Sequence, residues 1–163
     1  MSNITKKLSA IALCTVFASM QMVSASVTNF DTGLGNGLGG AVINNATGGL
    51  TCVDKGTNSA TLNFNNSAHV NWDSLNVNKN ETLNFNGSAS GITVLNSVNG
   101  GMSYIYGKVN STGIDKLIIS NPSGMLYDGA TFTSTGDVNI SNNNRKSDIE
   151  LKIKTSTGDI DVN

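Results

Sequence analysis

Short runs in which apolar and polar residues alternate recur along this chain, and segments of them return at nearly fixed distances. Leu62/Phe64, Leu75/Val77, Leu83/Phe85, Ile92/Val94, Ile149/Leu151/Ile153 and Ile160/Val162 all alternate with polar neighbours. A period of two places alternate side chains on opposite faces of an extended strand, where a helix would need a period of 3.6. Thr61-Leu62-Asn63-Phe64-Asn65-Asn66-Ser67 returns as Thr82-Leu83-Asn84-Phe85-Asn86-Gly87-Ser88, an offset of 21. Thr133-Ser134-Thr135-Gly136-Asp137 returns as Thr155-Ser156-Thr157-Gly158-Asp159, an offset of 22. Alternation resumes after each copy, as Val138/Ile140 and Ile160/Val162. Repeats of roughly 20–30 residues mark solenoids. Asn-Gly, Asn-Asn, Asp-Gly and Ser-Thr-Gly segments between the runs tolerate the left-handed conformations of tight corners. The chain therefore reads as all-β, a right-handed parallel β-helix: a single-stranded solenoid of about 21–22 residues per coil. An antiparallel sandwich of short strands is the alternative that the fixed offsets disfavour.

Composition agrees. The 163 residues include 24 Asn and 18 Gly, both poor helix formers, and only 13% are charged. Asn stacked at equivalent corners is expected to hydrogen-bond its copy one rung away. The formal net charge of -1 gives no electrostatic footprint for nucleic acid, so no nucleic-acid partner is expected.

Residues 1–25 read as an export signal. Lys6 and Lys7 form a positive start, Leu8 to Phe17 an apolar stretch, and Val23-Ser24-Ala25 the small residues that precede cleavage. Cleavage is expected between Ala25 and Ser26, leaving residues 26–163 as one domain. Loss of Lys6 and Lys7 leaves 8 of the 10 basic groups against all 11 acidic ones, a net of -3. Cys52 is the one cysteine that remains, so no internal disulfide is expected in that domain. At about 21 residues per coil it would make six to seven coils. The sequence stops at Asn163, directly after the Ile160/Val162 strand, so either a longer solenoid continues or a partner covers the last edge.

Few residues offer chemistry. His69 is the only histidine, which leaves little material for a Ser-His-Asp or multi-His metal site. It is expected on a strand beside Val70 and Trp72, with Trp72 a core or capping aromatic and Cys52 a small buried side chain. Gly35-Asn36-Gly37-Leu38-Gly39-Gly40 matches a dinucleotide-binding spacing, but no strand-helix unit frames it, and a capping loop is the expectation. Asp148/Glu150 and Asp159/Asp161, near Lys152 and Lys154, could pair as in polysaccharide-cleaving β-helices. Their alternation with Ile149, Leu151, Ile153 and Ile160 reads instead as a solvated strand face. Catalytic residues, metal and cofactor are accordingly expected to be none. Asn121-Pro122-Ser123-Gly124 fits a type I turn, with Asn first, Pro second and Gly fourth.

Residues 92–132 carry a resemblance. In order stand Leu95-Asn96, Gly100-Gly101, Ser103, Ile105, Gly107-Lys108-Val109, Gly113, Leu117-Ile118-Ile119, Asn121-Pro122-Ser123-Gly124, Tyr127 and Gly129-Ala130. This order resembles the N-terminal secretion domain of filamentous haemagglutinin-like exoproteins, the two-partner secretion family. Ser123 stands where that family usually has Asn, and Pro122 is the only proline. The resemblance implies a non-enzymatic secretion-recognition domain, exported by the general machinery into the periplasm of a Gram-negative-type bacterium. There the periplasmic domains of an outer-membrane transporter would bind it, with the Asn121–Gly124 turn and Leu117, Ile118 and Ile119 as recognition residues. The implied product is a secreted or surface adhesin, with host-cell or self contacts. A weakly charged chain without disulfides suits threading through a pore, and strand addition to Leu117–Ser120 would be one mode of recognition. A β-helical polysaccharide-degrading enzyme and a stand-alone self-assembling surface solenoid are the alternatives.

Overall fold

The computed structural model describes residues 27–34, 40–142 and 152–162, which contain strands and no helix. The expected export signal, with its Ala25/Ser26 junction, lies outside them, as do Asp148, Glu150 and all of the Gly35–Gly40 segment except Gly40. The side chains of Lys152 and Lys154 lie outside them too.

Parallel strands stack into a β-solenoid of about four turns. On one side β3 (Ser59–Leu75), β4 (Thr82–Gly87), β7 (Lys108–Thr112), β10 (Thr131–Ser134) and β12 (Lys152–Thr155) follow one another. Their register runs Ser59, Thr82, Lys108, Thr131, Lys152. On the second side the far half of β3 is followed by β5 (Thr93–Val98), β8 (Lys116–Asn121), β11 (Asp137–Asn142) and β13 (Ile160–Val162). The register there runs Ala68, Val94, Leu117, Val138, Ile160. A short third side pairs β6 (Ser103–Ile105) with β9 (Met125–Tyr127), and Val77 bridges to Ile105. Along the two long sides the shortest steps are Thr131 to Lys152 and Leu117 to Val138, and the longest are Thr82 to Lys108 and Ala68 to Val94. Coil length therefore varies more than the sequence offsets implied.

The expected six to seven coils become four because the first strands build something else. β1 (Val27–Asp31) and β2 (Ala41–Lys55) run antiparallel, β1 on β2 and β2 along the whole of β3. They wall off the first coil. β2 bends where β3 bends, at Gly48-Gly49, and its register shifts after Gly48 and again after Leu50. Gly48 has φ +89°, and a side chain there would meet the backbone of Ser67 and Ala68. Only glycine fits.

The Thr61–Ser67 repeat is stacked out of step. Leu62 pairs with Phe85, not Leu83, and Asn63 with Asn86 rather than Asn84. A two-residue slip leaves the inward row inward, so burial does not oppose it. The Thr133–Asp137 repeat does stack on itself at its corner: Thr157 Oγ1 donates to the Thr135 carbonyl at 2.6 Å, and Asp159 N–H to Asp137 Oδ1 at 2.9 Å.

Inward residues form columns along the axis. Ala60, Leu83, Val109 and Phe132 make one; Ala68, Val94, Leu117 and Val138 another; Val70, Asn96, Ile119 and Ile140 a third. Every one of these side chains is buried. Phe64 stacks on Phe85 with ring centroids 6.3 Å apart, and Tyr127 meets Phe132 edge-on at 6.0 Å. Burying each large apolar side chain stabilises the coil stack by about 1.5–3 kcal/mol.

Asn ladders exist, but on outward strand positions rather than at corners. Asn110 Nδ2 donates to Asn84 Oδ1 at 3.0 Å, Asn86 Nδ2 to Asn63 Oδ1 at 3.1 Å, and Asn71 Nδ2 to Asn45 Oδ1 at 2.8 Å. In-register pleating brings outward neighbours on adjacent strands within reach, whereas corners differ in length from coil to coil. The expectation of a buried Cys52 is also corrected. Cys52 is half-buried on β2, with Asn63 Nδ2 3.4 Å from its Sγ. It belongs to the capping strand, beside the outer row of β3, and not to the core. Cys14 lies outside the described residues.

Candidate recognition corner

β8 carries an inward row that ends on a polar residue: Leu117, Ile119, then Asn121, all within 1% of full burial. A buried amide must find partners on every side. Asn121 finds them one coil earlier. Its Nδ2 donates to the Gly101 carbonyl at 3.1 Å and to Ser103 Oγ at 2.8 Å, and its Oδ1 accepts the Ser123 N–H at 2.8 Å. The turn closes with the Gly124 N–H on the Asn121 carbonyl at 3.0 Å, and Gly124 takes φ +102°. Ser123 Oγ donates to the Gly100 carbonyl at 3.0 Å, and Ser103 N–H to the Gly124 carbonyl at 3.0 Å.

The four-residue turn expected at Asn121–Gly124 is therefore present, and it is fused to Gly100-Gly101 and Ser103. Pro122 and Ser123 are exposed at its tip, while Asn121 and Gly124 are buried anchors. Proline fixes its own φ, so the tip is held rigid. The two glycines and Ser103 were not singled out as site residues by sequence reasoning. The signal that could have found them is Asn121 itself, a polar residue at an inward position of an alternating strand.

Leu117, Ile118 and Ile119 sit differently. Leu117 and Ile119 are core side chains at 1% exposure each, and Ile118 faces outward, half-buried. β8 is hydrogen-bonded to β5 on one side and β11 on the other. The folded strand has no free edge, so strand addition to Leu117–Ser120 is open only to a chain whose neighbouring coils have not docked.

A second buried asparagine works in the same way. Asn96 Nδ2 donates to the Ile118 carbonyl at 3.1 Å, and its Oδ1 accepts the Trp72 indole N–H at 3.0 Å. Trp72 is a core residue, as expected. His69 lies on β3 between Ala68 and Val70, its Nε2 2.9 Å from Ser97 Oγ on the outer face. Asp159 and Asp161 are exposed on and beside the last described strand, where Ile160 is 45% exposed. Among the described residues, no three His, Cys, Asp or Glu side chains are grouped to hold a metal ion.

The fold and this corner define a capped parallel β-solenoid whose polar interior residues tie successive coils together. No family model matches the chain, and neither curated proteins nor solved structures yield a match.

Proposed function

We propose that this chain is the secretion-recognition domain of a two-partner-secretion exoprotein of haemagglutinin or adhesin type. Its partner in this reading is the set of periplasmic domains of an outer-membrane transporter, reached after export through the general machinery. One observation carries the reading. Residues that bear the resemblance but lie apart in sequence meet in one corner, where Gly100, Gly101, Ser103 and Asn121–Gly124 share a hydrogen-bond network. Residues that serve one recognition event need a common surface, and this corner offers one with Pro122 and Ser123 exposed.

The β-solenoid suits the same role. Each coil pairs with the coil before it, so a chain emerging from a pore finds a template for each new rung. Recognition through Leu117–Ile119 belongs to the unfolded chain in this reading, and recognition through Pro122 and Ser123 to the folded one.

The test is export of a reporter fused after Asn163, in cells carrying the organism's own two-partner transporter. Wild-type fusion is expected in the medium. Pro122→Asp/Ser123→Asp, which replaces the two side chains exposed at the tip and removes the Ser123–Gly100 hydrogen bond, is expected to hold it in the periplasm with an unchanged circular dichroism spectrum. A wild-type fusion that stays in the periplasm, or a folded double variant exported as well as wild type, overturns the proposal.

A further inference from the structure

Three Asn-Gly dipeptides occur in the chain: Asn36-Gly37, Asn86-Gly87 and Asn99-Gly100. The first lies outside the described residues. The other two share their chemistry and differ in what the fold does to them. An Asn-Gly pair can cyclise, because glycine has no Cβ to obstruct attack of its amide nitrogen on the preceding side chain. We propose that Asn99 is a site of spontaneous deamidation, exposed by its corner, while the sheet protects Asn86.

Asn86 is held from both directions. It lies in β4, in register with Asn63, and its Nδ2 donates to Asn63 Oδ1 at 3.1 Å. Gly87 pairs with Phe64, and a Cβ on it would collide with the Gly113 carbonyl one coil on. Cyclisation needs the Asn86 side chain to leave its ladder and Gly87 to rotate, and packing on both sides opposes this.

Asn99 stands just past the end of β5. Its backbone N–H donates to the Trp72 carbonyl at 2.9 Å, which fixes its place. Its side chain is exposed and makes no hydrogen bond among the described residues, and the Gly100 N–H has no acceptor among them. Both reacting groups are free. A Cβ on residue 100 would collide with the Asp73 carbonyl, so the corner requires glycine there and the reactive pair comes with it. The Gly100 amide nitrogen, once deprotonated, bonds to Asn99 Cγ. The Cγ–Nδ2 bond breaks and ammonia leaves, giving a five-membered imide. Water then opens the ring at either carbonyl, to aspartate or to isoaspartate. No oxidant or reductant takes part.

The location gives the reaction a consequence. Gly100 and Gly101 supply the carbonyls that receive Ser123 Oγ and Asn121 Nδ2. Isoaspartate at position 99 lengthens the backbone by one carbon immediately before them and adds a negative charge. The 121–124 turn loses its fixed seat as the protein ages.

The experiment incubates the full-length protein at mildly alkaline pH, natively and in urea, until the urea sample is modified. Peptide mapping by mass spectrometry and isoaspartyl methylation locate the product. In the native protein Asn99 is expected to react at least about tenfold faster than Asn86, and in urea the two rates converge, because only the fold separates them. Asn99→Gln removes the native signal. Hydrogen exchange at Ser123 and Gly124 accelerates as the modified fraction grows. Equal native rates at Asn86 and Asn99, or an Asn99 that reacts in urea and not natively, overturn the proposal.

Discussion

Trp72 and Asn96 are both wholly buried, 24 positions apart, and joined by an indole N–H donated to an amide oxygen at 3.0 Å. The same amide donates on to the Ile118 carbonyl. One side chain therefore spans three successive rungs of the second side.

Asn96→Ala is expected to lower stability by about 1–3 kcal/mol, because it leaves the buried Trp72 indole N–H without its acceptor. Combined with Trp72→Phe, which removes the orphaned donor, the loss should be less than additive. Urea midpoints of the four proteins measure this, and strict additivity would show that the two side chains do not cooperate.

Gly113 and Gly91 separate two costs. Both have positive φ, +67° and +77°. A Cβ on Gly113 would strike the Gly87 carbonyl, whereas one on Gly91 meets nothing within 4 Å. Gly91→Ala is expected to cost roughly 1–2 kcal/mol from backbone strain alone. Gly113→Ala should cost clearly more, read as the difference in thermal midpoints.

Phe85→Ala is expected to cost about 3–5 kcal/mol, since it opens a cavity between Phe64 and the next coil. Asn110→Ala removes only a half-exposed ladder bond that water can replace, and about 1 kcal/mol or less is expected. Equal losses in a urea titration would mean that the polar ladder, and not the core, holds the coils.

Tyr127 sets an alkaline limit. Burial raises its phenol above the ordinary value of 10.0, and its hydroxyl donates to Met125 Sδ at 3.2 Å. The folded state then keeps a proton that the unfolded state releases. This contribution is fully present below about pH 10 and is lost as pH rises towards the folded value. Tyr127→Phe should flatten the decline of the urea midpoint above about pH 10. An unchanged decline would assign it to other groups.

Much of the core was legible in the sequence because period two fixes which side chains share a face. Leu62, Phe64, Leu83, Phe85, Ile92 and Val94 are all buried as their alternation required. What period two cannot fix is a slip by two, so Leu62 stacks on Phe85 and not on its own copy, Leu83. The cap was illegible for a related reason. Ala41–Lys55 bends through Gly48-Gly49, which breaks its alternation, and antiparallel pairing leaves no sequence repeat. The turn at Asn121–Gly124 could be read locally, but its partners Gly100, Gly101 and Ser103 belong to another coil and are set by coil length.

The antiparallel wall at the first coil bears on how the molecule comes into being. β2 and β3 are joined through Gly56, Thr57 and Asn58, closed by the Gly56 N–H on the Ser59 carbonyl at 2.6 Å. This is a hairpin, whose strands meet after a short loop, whereas each later rung must close a whole circuit of the solenoid. Short circuits close at lower entropic cost and form sooner. Pulsed hydrogen exchange should find 41–75 protected before 108–142. A chain delivered from its N-terminus would then carry its own starting block, and each later rung would set against a finished surface instead of searching for one.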